Sequence, residues 1–274
     1  MTRREILFAL AALPATAVPQ AEAKLALEAR KRTGLGPVTQ QLDWKARETA
    51  IIVCDMWDDH YCLSASVRRL SAMIPRMNQT LAAARGLGVH VIHAPSGTMD
   101  FYADYPQRKK MQAVPYAKPP VEIAKWCYLD PKDEAALPIK DDEEPCDDAV
   151  GRPRIRMYNR EHPDIRIAES DLISDDGQEI YNYFTQQGVA NVMLMGVHAN
   201  MCVLGRPFGI RQQVRLGKKV ALVRDLTDAM YDPRDEPYVS HERGTEMVIE
   251  HIERWWAPSV TSAEILRAGG VASD

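Results

Sequence analysis

The chain has 274 residues, of which 46% are hydrophobic and 26% are charged. These fractions are typical of a globular protein, and they exclude a disordered chain, which lacks apolar residues, and a channel, which carries long apolar runs. The formal net charge of -4 provides no broad basic field, so no nucleic acid is expected as a partner.

The first 23 residues have the pattern of an export signal. A positive end at Arg3 and Arg4 precedes an apolar stretch from Phe8 to Val18, and residues 21–23 match a small-x-small cleavage site. The positive end also resembles a twin-arginine signal. The alternative is a helix that stays in the protein, although the stretch is too short to span a bilayer. We therefore expect a periplasmic or secreted protein, exported by the twin-arginine or the general secretory route.

The pattern of the central residues indicates a parallel sheet. Residues Thr49–Asp55 form an apolar, β-prone run that ends in a carboxylate, which predicts a buried central strand. An amphipathic helix is predicted from Ser66 to Arg85, and a second strand from Val89 to His93. Residues 95–163 break this rhythm with many prolines and an acidic block at 141–144. We interpret them as a long insertion whose acidic block is a solvated loop rather than a cation site.

Strands and helices alternate again after the insertion. The predicted elements are strand 164–167, helix 175–187, strand 191–196, a helix through Cys202 to residue 216, strand 219–224, helix 241–256 and an edge strand at 258–262. The fold class is therefore α/β, a three-layer α/β/α sandwich with a mainly parallel sheet of five or six strands. Residues 24–274 are predicted to form a single domain.

Five cysteines are an odd number for an exported chain, so at least one free thiol is expected; they lie at positions 54, 62, 127, 146 and 202. Cys127 and Cys146 flank a polar loop. They are predicted to form a disulfide or to remain two unpaired thiols, and the pattern does not decide between these outcomes.

Cys202 and Asp55 are the candidate catalytic residues. Cys202 lies in a turn between a strand and a helix, where free backbone N–H groups favour a thiolate and could bind an oxyanion. Asp55 ends the central strand and could accept the thiol proton, which is the arrangement that covalent catalysis needs. An inert buried cysteine and a loop carboxylate are the structural alternatives. Ligands of α/β sheets bind at the carboxyl ends of the strands, which favours the catalytic interpretation.

These residues resemble the isochorismatase-like cysteine hydrolases. The matching segments are Ile52–Asp55, Gly196–Val203 and Val220–Asp225, within a resemblance that covers about residues 45–262. The resemblance implies an isochorismatase-like fold, with Cys202 as nucleophile and Asp55 as acid and base. It also implies a cis peptide between Val197 and His198, which would aim the backbone N–H groups of His198 and Cys202 at the oxyanion.

The chain departs from this family at one catalytic position. The family has a lysine at the end of its third strand, and residues 167–174 here contain none. Glu169 falls closest to that place, where a carboxylate would oppose thiolate formation. A cation from elsewhere could substitute for the lysine, and the candidates are Arg166, Lys109, Lys110, Lys118 and Lys125.

Four further residues are candidates for the substrate pocket: Trp57, His60, His93 and Asn200. Asn200 could instead stabilise its turn through local hydrogen bonds. Asp58, His60 and His93 are weak candidates for a divalent metal site, since such loop residues are usually solvated. Arg206 and Arg211 could bind a substrate carboxylate, although a salt bridge is the favoured role. With no glycine-rich phosphate loop after a strand, no cofactor is expected.

We therefore expect a hydrolase of a small amide or a related C–N bond, acting through a thioester at Cys202 on a small-molecule substrate. The alternative function is a binding or assembly protein that kept the fold and lost the lysine. No membrane span is expected, and self-association into a homo-oligomer remains open.

Overall fold

The computed structural model describes residues 23–141 and 145–271, so the predicted export signal lies outside the described residues except for Ala23. Eight strands form one sheet within the described part of the chain: β1 (Lys24–Thr33), β2 (Gly36–Lys45), β3 (Thr49–Cys54), β4 (His90–Ala94), β5 (Leu172–Ile173), β6 (Asn191–Val197), β7 (Lys219–Asp228) and β8 (Ser259–Val260). Their order across the sheet is β2-β1-β8-β7-β6-β3-β4-β5. The six strands from β8 to β5 are parallel, whereas β1 runs antiparallel to both β2 and β8.

Helices cover both faces of this sheet. They are α1 (Arg69–Leu87), α2 (Pro106–Gln112), α3 (Gly177–Gln187), α4 (Cys202–Gly205), α5 (Ile210–Arg215), α6 (His241–Trp255) and α7 (Ser262–Ala268). Apolar residues of α1 and α7 pack with Ile51 and Val53 of β3 on one face, and those of α3 and α6 pack with Ile52 on the other. Since alternate residues of a strand point to opposite faces, β3 is buried on both sides. The predicted three-layer α/β/α sandwich is confirmed.

The sheet is larger than the five or six strands predicted. The segment before Thr49, for which no strand was predicted, forms the β1–β2 hairpin. Leu25, Leu27 and Ala29 of β1 are buried and alternate with exposed or half-buried residues, the pattern of a strand with one buried face. The strand at residues 258–262 was predicted at an edge, but β8 lies between β1 and β7. Helix α7 follows it and was not predicted.

Two further predictions at the residue level are wrong. No strand forms at 164–167, where Ile165 packs into the core instead; the short strand of this region is β5, five residues later. The predicted helix from Cys202 to residue 216 divides into α4 and α5 around Pro207. A proline restricts the residue before it to an extended backbone, and Arg206 accordingly has ψ 157°.

Residues 95–163 carry α2 and otherwise irregular structure among their described residues. This segment is joined to the loop after β3 by a disulfide between Cys62 and Cys146. The pairing of Cys127 with Cys146 therefore does not occur, and Cys127 is a buried free cysteine whose thiol donates to Gln212 Oε1 at 3.3 Å. No helix in the described ranges is both long and apolar enough to span a membrane.

Candidate active site

Asp55 is the first residue after β3 and is completely buried. Its backbone has φ 47°, a left-handed conformation that is uncommon for residues other than glycine. The Ser96 backbone N–H donates to Oδ1 at 2.7 Å, and Arg206 Nε donates to Oδ2 at 2.8 Å. The carboxylate is thus held by a neutral donor on one oxygen and by a cation on the other.

Cys202 reaches the same edge of the sheet from the neighbouring strand β6. Cys54 and Gly196 are paired across β3 and β6, so the chain leaves both strands at one level. Gly196 has φ 108°, and a Cβ there would lie 2.1 Å from the Cys54 carbonyl oxygen, so only glycine fits. The Val197–His198 peptide is cis, as the family resemblance implies. Cys202 begins α4 a few residues later and is 7% exposed.

Burial and the charge of Asp55 raise the pKa of the Cys202 thiol well above its usual range. The Arg206 guanidinium and a hydrogen bond from the His198 backbone oppose this shift and favour the thiolate. The resting sulfur is therefore protonated at neutral pH, and it needs a base to become a nucleophile. Asp55, close enough to hydrogen-bond the thiol, is placed to be that base.

Arg206 is the cation that lies beside Asp55 and Cys202, whereas the predicted substitutes for the family lysine were Arg166 and four lysines of the insertion. It follows α4 directly, and its backbone N–H donates to the Cys202 carbonyl oxygen at 3.0 Å, which places it one helical turn after the thiol. Burial alone would lower the pKa of the guanidinium, but the nearby charge of Asp55 raises it. The spacing Cys-x-x-x-Arg carries this signal in the sequence, because residues four apart in a helical turn are neighbours.

Aromatic rings surround this guanidinium. Its Cζ lies 6.0 Å from the centre of the Trp57 ring and 5.4 Å from that of Trp126. Tyr158 stacks on Trp57 with the ring centres 4.2 Å apart. These contacts restrict the side chain of Arg206 and support its cation with the ring faces.

A cavity of about 350 Å³ opens beside Cys202, a size that suits a small molecule. Its walls come from residues 198–206 (the nucleophile turn), from the loop after β3 and from the insertion, and Met230 of the loop after β7 completes them. The lining residues are Trp57, His60, Tyr61, Trp126, Arg154, Ile155, Arg156, Tyr158, His198, Met201, Cys202, Arg206 and Met230.

The cavity includes two of the four residues predicted for the substrate pocket, Trp57 and His60. His93 is not among them: it is fully buried between Glu161 and Asp171, whose carboxylates lie 2.8 and 3.1 Å from its ring nitrogens. Asn200 is buried as well. Its side-chain amide donates one hydrogen bond to the Met230 backbone and accepts one from it, which stabilises the nucleophile turn.

The three weak metal candidates do not come together. Asp58 accepts hydrogen bonds from the backbone of Asn159 and Arg160, and His93 has the carboxylate partners described above. His60 Nδ1 accepts from the Cys62 N–H at 3.1 Å, and burial lowers the pKa of its imidazole to about 4. The described residues contain one group with metal-ligand spacing, at Cys62, Cys146, Asp147 and Asp148, and two of its members form the disulfide.

The residue that ends the third parallel strand is Ser174, not Glu169. Glu169 lies before β5 and is exposed, whereas Ser174 follows β5 and donates to Glu179 at 2.5 Å. None of the proposed substitute cations lines the cavity; these were Arg166, Lys109, Lys110, Lys118 and Lys125. Arg211 is also remote, since it pairs with Glu134 and anchors the insertion.

Comparisons with known proteins agree with this architecture. A cysteine hydrolase from Pseudomonas syringae pv. phaseolicola 1448A matches with a TM-score of 0.50 and 18% identity, covering 83% of this chain and 94% of its own. An isochorismatase from Pseudomonas putida KT2440 matches with a TM-score of 0.48 and 13% identity, covering 80% and 91%. A ribonuclease from Caenorhabditis elegans matches with a TM-score of 0.43 and 18% identity, covering 80% and 79%.

At 18% identity the first of these matches supports the fold alone, and the other two, with TM-scores below 0.5, carry no argument. The search of curated proteins finds no match. The family model described as the Isochorismatase domain matches residues 49–236, which is more than half of the chain. The match includes β3, the insertion, the nucleophile turn and most of the loop after β7. The chain therefore belongs to the isochorismatase family, whose members are hydrolases.

Proposed function

We propose that the protein hydrolyses a small amide or a related C–N bond through a thioester at Cys202. The observation that carries this proposal is the meeting of a thiol, a buried carboxylate and a guanidinium at one edge of the sheet, beside a cavity of small-molecule size. Each of the three groups has a task that covalent hydrolysis requires.

Asp55 takes the proton of the Cys202 thiol as the sulfur attacks the substrate carbonyl carbon. The backbone N–H groups of His198 and Cys202 receive the oxyanion of the tetrahedral intermediate. Collapse of the intermediate breaks the C–N bond, and protonated Asp55 gives its proton to the leaving nitrogen. Water then attacks the thioester with Asp55 as base, which releases the acid and restores the thiol. Arg206 holds the Asp55 carboxylate in place through its hydrogen bond and stabilises the transient thiolate.

Replacement of the nucleophile tests this proposal. A panel of small amides is incubated with the wild-type protein, with Cys202→Ala and with Cys127→Ser, which changes a buried free cysteine that does not line the cavity. Hydrolysis is expected in the wild type and in Cys127→Ser and is abolished in Cys202→Ala. Mass spectrometry of rapidly quenched wild-type protein should show the acyl adduct on the peptide containing Cys202. Hydrolysis that survives in Cys202→Ala would contradict the mechanism.

A binding or assembly protein is the second candidate function, because burial raises the pKa of the Cys202 thiol. Alkylation by iodoacetamide and turnover, measured together, separate the two functions. For a hydrolase, small amides should protect Cys202 from alkylation and should also be hydrolysed, since they react at the same sulfur. Protection by small amides without turnover would favour the binding function.

We further propose that the protein works in an oxidising compartment after export. The Cys62–Cys146 disulfide supports this, because such bonds persist mainly outside the reducing cytosol. The N-terminal sequence of the protein recovered from the periplasm or medium of an expressing bacterium tests it. A mature chain that begins at Lys24 is expected, and full-length protein confined to the cytosol would contradict it.

A further inference from the structure

Arginine residues of the insertion shape the mouth of the cavity. Arg154 and Arg156 both line it, together with Arg206 from the nucleophile turn, and each guanidinium lies over an aromatic ring. No Asp or Glu is among the described residues that line this cavity. The wall that a substrate meets is therefore cationic and aromatic.

Arg206 is committed to the carboxylate of Asp55, but Arg156 is not committed to any carboxylate in the described part of the chain. Its Nε donates to the Tyr158 carbonyl oxygen at 3.3 Å, and its Cζ lies 5.1 Å from the centre of the Tyr158 ring. These two contacts orient the guanidinium without neutralising its charge. The remaining N–H groups of an arginine form a planar fork that matches a carboxylate.

Tyr158 connects this arginine to the reacting groups. Its ring stacks on Trp57, which in turn contacts the Arg206 guanidinium. Burial and the charge of Asp55 raise the pKa of the Tyr158 hydroxyl, so the side chain is neutral and adds no opposing charge. Arg156 and Cys202 thus belong to one continuous wall, with the arginine at the exposed end and the thiol at the buried end.

Resting on the proposed function, we propose that the substrate is a small amide that carries a carboxylate, with the carboxylate bound by Arg156 and the amide carbonyl placed at Cys202. The aromatic side chains accept the apolar body of the molecule. The cavity volume restricts that body to about the size of one ring or a short chain. Amides without an anionic group lose the contact with Arg156 and bind more weakly.

Benzoate and benzamide provide a matched pair of probes, because they share one shape and differ in charge. Their affinities are measured by isothermal titration calorimetry on Cys202→Ala, which binds without turnover. We expect benzoate to bind about tenfold more tightly than benzamide, the difference that one hydrogen-bonded ion pair provides. Adding Arg156→Gln should remove this preference and leave the affinity for benzamide unchanged.

Arg160→Gln is the matched control, since Arg160 belongs to the same segment but contacts Phe101 and does not line the cavity. The preference for benzoate should survive in this variant. Equal affinities for the two probes, no detectable benzoate binding, or a preference that survives Arg156→Gln would each overturn the proposal. The measurement involves no hydrolysis, so a failure of the proposed catalytic mechanism would not affect its outcome.

Discussion

At the residue scale, Arg206 links the stability of the site to its proposed chemistry. Its guanidinium is the cation bonded to the buried Asp55 carboxylate, and it also favours the thiolate of Cys202. One side chain therefore compensates the burial of a negative charge and supports the formation of a second one. A family lysine at the end of β5 would have to meet the same two groups from another strand.

Arg206→Gln tests this dual role. The substitution leaves Asp55 buried without its cation, which is expected to lower the free energy of unfolding by about 3 kcal/mol. We expect kcat to fall by ~100-fold or more, as for loss of a charged group that stabilises the transition state. The pH–rate profile should also move to higher pH, because the guanidinium lowers the pKa of the thiol.

Two companion variants separate stability from chemistry. Asp55→Asn combined with Arg206→Gln removes the unpaired charge, so it should recover much of the lost stability in urea denaturation while remaining inactive. Arg206→Lys keeps a cation and should retain part of the activity. If Arg206→Gln destabilises the fold but keeps the wild-type pH–rate profile, Arg206 has only a structural role.

The sequence was sufficient to bring Cys202 and Asp55 together, because the carboxyl ends of neighbouring parallel strands share one edge. It was not sufficient to decide whether His93 or Asn200 lines the pocket, since a residue near the end of a strand can point into the core as well as into a pocket. Arg206 was weighed as a salt-bridge residue, which it is, but its partner Asp55 comes from a strand about 150 residues earlier in the chain, and no periodicity of a single segment reveals such a contact.

At the element scale, His93 of β4 connects the insertion to β5. Its two ring nitrogens face the carboxylates of Glu161 and Asp171, and Asp171 also pairs with Arg85 of α1. Burial alone would lower the pKa of His93, but the charge of Glu161 and hydrogen bonds to both carboxylates raise it to about 9. The His93 imidazolium therefore links β4 to the insertion through Glu161 and to the residue before β5 through Asp171.

This arrangement predicts a pH dependence of stability. Because the pKa of His93 is raised from the ordinary histidine value of about 6.5 to about 9, its contribution is complete below pH ~6.5 and is lost as the pH rises through about 9. The free energy of unfolding should decrease by on the order of 3 kcal/mol across this range. Urea denaturation at several pH values measures it. In His93→Gln the decrease should be absent, and an unchanged decrease would show that another group titrates.

The disulfide joins two segments that form walls of the cavity. Cys62 directly follows His60 and Tyr61, and Cys146 precedes the wall residues Arg154 and Arg156. Asp148 adds to this junction by accepting hydrogen bonds from the backbone of residues 63 and 64. The relative position of the two walls therefore depends on this covalent link.

Reduction of the disulfide is expected to lower stability by up to about 4 kcal/mol, because the bond closes a long loop in the unfolded chain. The KM of a substrate should rise, whereas kcat should change little, since Cys202 and Arg206 lie outside the joined segments and the Asp55 carboxylate is held by Ser96 and Arg206. Thermal unfolding and steady-state kinetics with and without reductant measure both effects. The variant Cys62→Ser/Cys146→Ser is the control, and it should be insensitive to reductant. A reductant effect that persists in this variant would assign the loss to another thiol.

At the scale of the whole molecule, the N-terminal hairpin extends the family domain beyond the residues that the family model matches. β1 pairs with β8, so the hairpin forms one edge of the sheet. Arg30 and Arg32 form salt bridges with glutamates of α6. Glu253 is fully buried and accepts hydrogen bonds from both arginines and from Ser259. This carboxylate ties the hairpin, β8 and α6 into one unit.

Glu253→Gln should lower the free energy of unfolding by about 2 kcal/mol, since hydrogen bonds between charged groups are lost. The kcat and KM values should stay at wild-type levels, because no residue of the hairpin is among the described residues that line the cavity. Glu246→Gln, which removes a partly exposed partner of Arg30, is the control and should have a smaller effect. A loss of activity equal to that of Arg206→Gln would contradict this separation of the hairpin from the site.

The overall architecture could be predicted from the sequence because buried parallel strands form continuous apolar runs and amphipathic helices have a strong period. The hairpin could not be recognised in the same way, because charged residues alternate with the apolar ones along β1 and resemble a polar linker. The export signal and the self-association of the chain remain predictions. The break at Pro207 was missed by the prediction of one helix from Cys202 to residue 216, although the proline itself is the signal that ends α4.

The single turn between Cys202 and Arg206 has a mechanical consequence. The Cys202 sulfur and the Arg206 guanidinium belong to one short stretch of backbone. A displacement of β5 relative to β4 would move a lysine at the end of β5, but it would not change the distance between these two groups. A shift of the two-residue edge strand β5 would therefore not separate the sulfur from the guanidinium. Because β5 carries neither group, its position relative to β4 does not set the spacing between the Cys202 sulfur and the Arg206 guanidinium.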